Sequence, residues 1–158
     1  MRVCFVKKIF PYVLLEKNLG EHLKGKAVMN IITINNTKLD IQDAIIHEEQ
    51  HVLHWYMISI PLIILISILT IYSILPISIA YIGILISILL YNVLCHISES
   101  IRLIAEIDCF RAENHYLETD RSKELGFILS NSYGFDISPQ EAERRIRKGT
   151  KHAKKVHI

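Results

Sequence analysis

Charge is missing from the middle of this sequence: between Glu49 and Glu99 there is no Asp, Glu, Lys or Arg. Over the whole chain of 158 residues the formal charge is only +2. So small an excess gives no strong global attraction to a polyanion, and nucleic acid is not an expected partner. Cysteine is scarce as well. Cys4, Cys95 and Cys109 form no even set, and Cys95 falls within the uncharged stretch, which argues against a disulfide framework and for free thiols in a reducing compartment. The N-terminus lacks the cleavage site of a secretory signal. Lys7 and Lys8 interrupt its apolar part, and Pro11 and Glu16 follow, so a pair of strands or a docking segment is the better reading.

What fills the uncharged middle is apolar. Met57 to Cys95 is about 39 residues, roughly 58 Å as one helix, almost twice a hydrocarbon core of about 30 Å. The run must therefore fold back, and Pro76 lies near its midpoint. Two membrane passes follow, Met57 to Leu75 and Ile77 to Cys95, each about 19 residues or about 28 Å. Ala80, Gly83 and Ser87 share one side of the second pass, a small-residue seam suited to close helix packing. Two passes return the chain to its starting side. The turn between them has no Lys or Arg, whereas Lys38, Arg102, Arg111, Arg121 and Lys123 lie outside the passes, so both termini are expected in the cytoplasm.

Just before the first pass stands His47-Glu48-Glu49-Gln50-His51, an H-E-x-x-H motif. At about 100° per residue on a helix, His47 and His51 lie one above the other, so both imidazoles reach one metal ion. Glu48 sits one step round, placed to act as a base on water rather than as a ligand. A catalytic Zn2+ takes three protein ligands, so a third must come from elsewhere. Asp40 is the expected N-cap of this helix, with Asp43 adding charge at its positive end.

The candidates for the third ligand are Glu99, Glu106, Asp108, Glu113 and His54. The two motif histidines lie roughly 12 Å below the start of the first pass, a depth that an antiparallel helix leaving the second pass reaches near position 104. Glu106 is the nearest carboxylate; Glu99 is too close to the bilayer and Glu113 roughly 12 Å too far. His54 is about 10 Å along the axis from His47, too far to share an ion with it, and reads as an interfacial or substrate-side residue.

On the N-terminal side, Val28 to Ile34 is rich in β-branched residues and ends at Asn35-Asn36, a strand running into a turn. A peptide substrate can add to the free edge of such a strand by main-chain hydrogen bonds, which nominates Asn30, Ile31, Ile32 and Thr33; a strand that merely packs on the metal helix fits the pattern equally. Asn35-Asn36-Thr37 is also a glycosylation sequon, relevant only outside the cytoplasm. Further on, Glu99 to Glu118 is helical in pattern, Ser132 to Asp136 is a loop, and Ser138-Pro139-Gln140-Glu141 is a capping box opening another helix. The basic tail from Arg144 reads as a solvated helix face and end, with contact to anionic lipid as the alternative.

His47-Glu48-x-x-His51 followed by Glu106-x-x-Cys109 resembles the gluzincin zinc metallopeptidases, in particular their smallest single-domain members, the minigluzincins, and membrane-embedded relatives. The resemblance spans about Val28 to Glu113. It implies a short sheet whose edge strand holds substrate, an H-E-x-x-H helix, and a second helix supplying the ligand Glu106. Two positions depart from the pattern: Cys109 stands where an alanine is usual, and Phe110 where larger members have an aspartate that partners a ligand histidine, a task for which Asp108 or Asp43 is the available substitute. The expected fold is thus α+β, one membrane-anchored domain over residues 1–158. It has a strand-rich region at 1–39, the motif helix at 40–56, a transmembrane hairpin at 57–95, the Glu helix at 96–120 and a basic region at 121–158.

The expected function is hydrolysis of peptide or protein substrates at the cytoplasmic membrane face, with His47, His51 and Glu106 holding Zn2+ and Glu48 as general base. The oxyanion donor is unassigned, with Tyr133 and His54 as guesses. Two rivals stand beside this reading. One is a non-enzymatic two-pass interaction or assembly protein whose histidines and acids line a polar helix interface; the other is a structural or sensory metal module.

Overall fold

The computed structural model describes residues 2–17, 25–35 and 41–151. Four strands precede five helices: β1 (Arg2–Val6), β2 (Phe10–Lys17), β3 (Gly25–Val28), β4 (Ile31–Asn35), α1 (Ile41–Ile71), α2 (Ile77–Ile97), α3 (Glu99–Tyr116), α4 (Ser122–Ser132) and α5 (Pro139–Arg147). The α+β expectation holds. Asp40, the expected N-cap, and Asn36 and Thr37 of the sequon lie outside the described residues.

The strands form one sheet in the order β1-β2-β4-β3. β1 with β2 and β3 with β4 are antiparallel hairpins, and β2 runs parallel to β4 with Val13 opposite Ile31. The run Val28 to Ile34 is therefore not one strand. It breaks at Met29-Asn30, where Met29 takes a left-handed φ of 54° and the chain reverses from β3 into β4. The substrate assignment built on that run changes with it. Ile31, Ile32 and Thr33 lie in an interior strand paired on both sides, and Asn30 is in the turn, its carbonyl accepting from the Val13 amide at 2.8 Å. Among the described residues the free edge on this side is β3. A β-branched run marks a buried strand as readily as an edge, so the sequence does not reveal which partner of the hairpin is the edge.

Tyr12, Leu14, Ile32 and Ile34 project from the sheet onto Ala44 and Val52 of α1, so the motif helix lies across the sheet by burying its apolar side there. A second core joins α3, α4 and α5 through Ile107, Phe110, Leu125, Leu129, Ala142 and Ile146. The serine half of the capping box is formed, Ser138 accepting from the Glu141 amide at 3.2 Å with Pro139 in the first turn, while the Glu141 carboxylate accepts from Arg144 and Arg145. At Gly126 an added Cβ would stand 2.6 Å from the Glu143 backbone nitrogen, so α4 and α5 approach as closely as they do only because that residue is glycine.

α1 continues through Pro61 into the apolar run without a break. Trp55 Nε1 donates to the Ile88 carbonyl at 2.7 Å and Ser59 Oγ to the Ser87 carbonyl at 2.9 Å, tying α1 to the antiparallel α2. The small-residue seam faces α1 as expected: Ala80 and Ser87 are buried, and a Cβ on Gly83 would meet Ile66 Cδ1 at 3.0 Å. Both helices are long and apolar enough to cross a membrane, and the rest of the chain buries only 17% of the apolar window in each. The reversal is wider than a turn at Pro76. α1 ends at Ile71 and the chain turns over 72–76, so the first apolar helix stops short of the end of its apolar sequence.

Of the basic tail, Arg144 and Arg145 pair with Glu141, and Arg147 pairs with Asp120 at 2.8 Å. The first two pairs lie within α5 on its exposed face, and Arg147 reaches across to the segment before α4. Residues 152–158 lie outside the described part.

Candidate metal centre

His47 and His51 emerge one turn apart from the face of α1 that meets α3, their rings 5.4 Å apart. α3 brings Glu106 between them. One carboxylate oxygen lies 3.2 Å from His47 Nε2 and the other 3.5 Å from His51 Nε2. Donors bonded to one zinc ion at about 2.0–2.1 Å in a tetrahedron stand about 3.3–3.4 Å apart, so these separations suit three ligands of a single ion. Cys109, one turn further along α3, is a second candidate: its sulfur and donors of both histidines lie within 4.8 Å of one another. Both α3 side chains thus stand within reach of the histidine pair, Glu106 with one oxygen 3.2 Å from His47 and the other 3.5 Å from His51.

The far nitrogen of each histidine is also occupied. His47 Nδ1 lies 3.5 Å from Glu113 Oε2, and His51 Nδ1 lies 2.9 Å from the Tyr91 hydroxyl. Were each Nε2 to face an ion, each Nδ1 would carry the hydrogen and donate outward, the arrangement that fixes tautomer and ring angle at metal-binding histidines. Neither partner was nominated from the sequence. Glu113 is too far along α3 to be a ligand, but it is seven residues, two turns, beyond Glu106 and so on the same face. Asp108 and Asp43 do not take this part: Asp108 pairs with Arg111 and approaches His54, and Asp43 pairs with Arg121 at 3.0 Å. Phe110 packs its ring edge-on to His47 at 4.6 Å and forms an apolar wall beside it.

Burial would push the Glu106 carboxyl up, but the hydrogen bonds and charges of His47 and His51 outweigh it and hold the group down to about 2. Glu48 is buried on the other side of the motif, against β3. The Ala27 backbone amide donates to it, yet burial raises its pKa overall, the direction a general base needs. Gly25 makes room for it: a Cβ there would fall 3.2 Å from Glu48 Cγ and 2.8 Å from Ile34 Cδ1.

These groups open onto a cavity of about 300 Å3 whose walls include Ala27 of β3, Glu48, Glu106, Asn92, Arg102 and Tyr133. A second cavity of about 230 Å3, lined by Asp43, Glu113 and Arg121, shares Gly25, Glu48 and Tyr133 with the first. Tyr133, at the end of α4, thus borders both; its ring packs against Phe110 and Phe135, and burial raises its hydroxyl pKa. His54 is not among the residues lining either cavity. Tyr91, Asn92 and Cys95 all belong to α2 and line the first cavity, so the centre does not hang well clear of the hairpin as the depth argument had it. The end of the second apolar helix is one of its walls.

Compared with protein-family models, curated proteins and solved structures, the chain matches none.

Proposed function

We propose that this chain is a membrane-embedded zinc metallopeptidase of gluzincin type, anchored by a two-pass hairpin with both termini in the cytoplasm. The observation that carries the reading is Glu106: a carboxylate 59 residues distant in sequence from His47 is delivered between the two motif histidines at ligand spacing. His47, His51 and Glu106 would hold the ion, with Glu113 and Tyr91 holding the histidines. Zinc bound there supplies Lewis acidity to a peptide carbonyl and lowers the pKa of water towards 7.

The remaining steps belong to the chain. Glu48, buried and of raised pKa, takes the proton from the attacking water and passes it to the leaving amine. The Tyr133 hydroxyl is the donor best placed to stabilise the carbonyl oxygen as it gains charge, because Tyr133 borders the cavity beside Glu48 and carries its proton throughout the neutral range. β3 offers its free edge along the same cavity to an extended peptide.

The interaction-protein reading has one observation in its favour: His47, His51, Glu106, Glu113 and Tyr91 satisfy one another as a polar helix interface without an ion. Glu48 separates the two readings, since it accepts from the Ala27 amide of β3 rather than bridging the helices. Glu48→Gln is expected to keep bound zinc and abolish cleavage of an unfolded protein substrate in detergent micelles. Cleavage by that variant at the wild-type rate would refute the mechanism.

A further inference from the structure

Both hairpins of the sheet turn at the same end. Because β2 and β4 are parallel with Val13 opposite Ile31, the turn at Lys7–Ile9 and the turn at Met29-Asn30 lie side by side. Tyr56 fastens that end of the sheet to α1. Its ring stacks on Phe10 at 5.0 Å and its hydroxyl donates to the Pro11 carbonyl at 2.6 Å. Met57, the first residue of the apolar run, comes next.

Helix length then sets the level of the bilayer. From Met57 the helix has only as far as Ile71 before the chain turns, about 22 Å against a hydrocarbon core of about 30 Å. A bilayer crossed by α1 must therefore reach down to Tyr56 and to the sheet end beside it, unless it thins. What that end exposes is suited to lipid. Phe5 is 56% exposed, Ile9 69%, Val28 48%, Ile31 38% and Met57 64%. Large apolar side chains exposed together mark a contact, and the Tyr56 contacts bring the start of the apolar run to this end of the sheet. Lys7 and Lys8, both exposed, stand in the same turn as Ile9 with φ of 50° and 62°.

We infer that the sheet has its own membrane contact, separate from the two passes. The turns at Lys7–Ile9 and Met29-Asn30 sit in the interface of the leaflet facing the metal centre, with Phe5, Ile9, Val28 and Ile31 at the acyl boundary and Lys7 and Lys8 on anionic headgroups. The inference rests on the two-pass reading. It fixes the free edge of β3 and the cavity at the membrane surface, so peptide that reaches Glu48 travels along the bilayer.

The test uses the full chain in vesicles of phosphatidylcholine and phosphatidylglycerol. Ile9→Trp or Glu16→Trp is introduced one at a time and the signal of the native Trp55 is subtracted; Glu16 lies towards the opposite end of β2. Alkaline carbonate first reports whether the chain is integral. The expected result is a carbonate-resistant chain in which Ile9→Trp is quenched by acyl-brominated lipid at least about threefold more than Glu16→Trp and is shielded from acrylamide. A resistant chain with both probes equally open to acrylamide overturns the sheet contact and leaves the passes standing. Shielding from acrylamide without quenching by lipid overturns it in favour of a protein partner. Release by carbonate overturns the two-pass reading and this inference together.

Discussion

Tyr91→Phe should weaken zinc binding without touching a ligand. The substitution keeps the ring and removes only the hydroxyl that lies 2.9 Å from His51 Nδ1. Left without its partner, that ring nitrogen is a buried donor, a cost of about 1–3 kcal/mol. Loss of the outer partner of a ligand histidine typically lowers metal affinity about 10- to 100-fold, or about 1.4–2.7 kcal/mol, so the two estimates agree. The assay is competition for zinc against a chelator of known affinity, on detergent-purified protein whose helix content is checked by circular dichroism. Tyr81→Phe is the control, because Tyr81 is exposed on the same helix about 15 Å before Tyr91 and should bind as wild type. Wild-type affinity in Tyr91→Phe, with zinc lost in His51→Ala, would refute the claim that the hairpin helps to build the centre.

Two further predictions concern the helices that carry the site. Gly126→Ala places a methyl group 2.6 Å from the Glu143 backbone nitrogen and should cost about 1–3 kcal/mol by forcing α4 from α5, read as a lower unfolding midpoint in detergent. Asp120 gives the pH dependence. Burial raises its pKa, but hydrogen bonds from Ser122 and Asn114 and the charge of Arg147 prevail and lower it from 3.8 to about 2. A depressed carboxyl stabilises the fold above its unfolded pKa and loses that contribution as pH falls through the folded one. The stability advantage of wild type over Asp120→Asn should therefore be full at pH above about 4, shrink below it and vanish near 2; a constant difference across that window would contradict the assignment.

How far the site was legible varies residue by residue. His47 and His51 follow from helical spacing alone, and the seam of Ala80, Gly83 and Ser87 from the placement of small residues along the second pass. Glu106 was reached through a depth argument, and the structure does bring that side chain between the two motif histidines, with α2 closer to them than the argument allowed. Ile88 is opposite Trp55, so the two apolar helices overlap further towards the site than equal passes ending at Cys95 imply. Tyr91 was invisible because a tyrosine near the end of a membrane helix reads first as an interfacial anchor. Glu113 was discarded on distance along the helix, although its seven-residue spacing from Glu106 marks the same face. β3 was missed because Gly25-Lys26-Ala27 has no β-branched residue, while its partner β4 is full of them; only the pairing reveals which of the two is the edge.

The most direct test of the central claim is zinc stoichiometry on purified wild type, Glu106→Ala and Cys109→Ala. Both residues approach the motif histidines from α3, and the proposed site takes the carboxylate. One zinc per chain is predicted for wild type and for Cys109→Ala, with none in Glu106→Ala. A wild-type chain without zinc, or zinc kept by Glu106→Ala and lost from Cys109→Ala, would contradict the account.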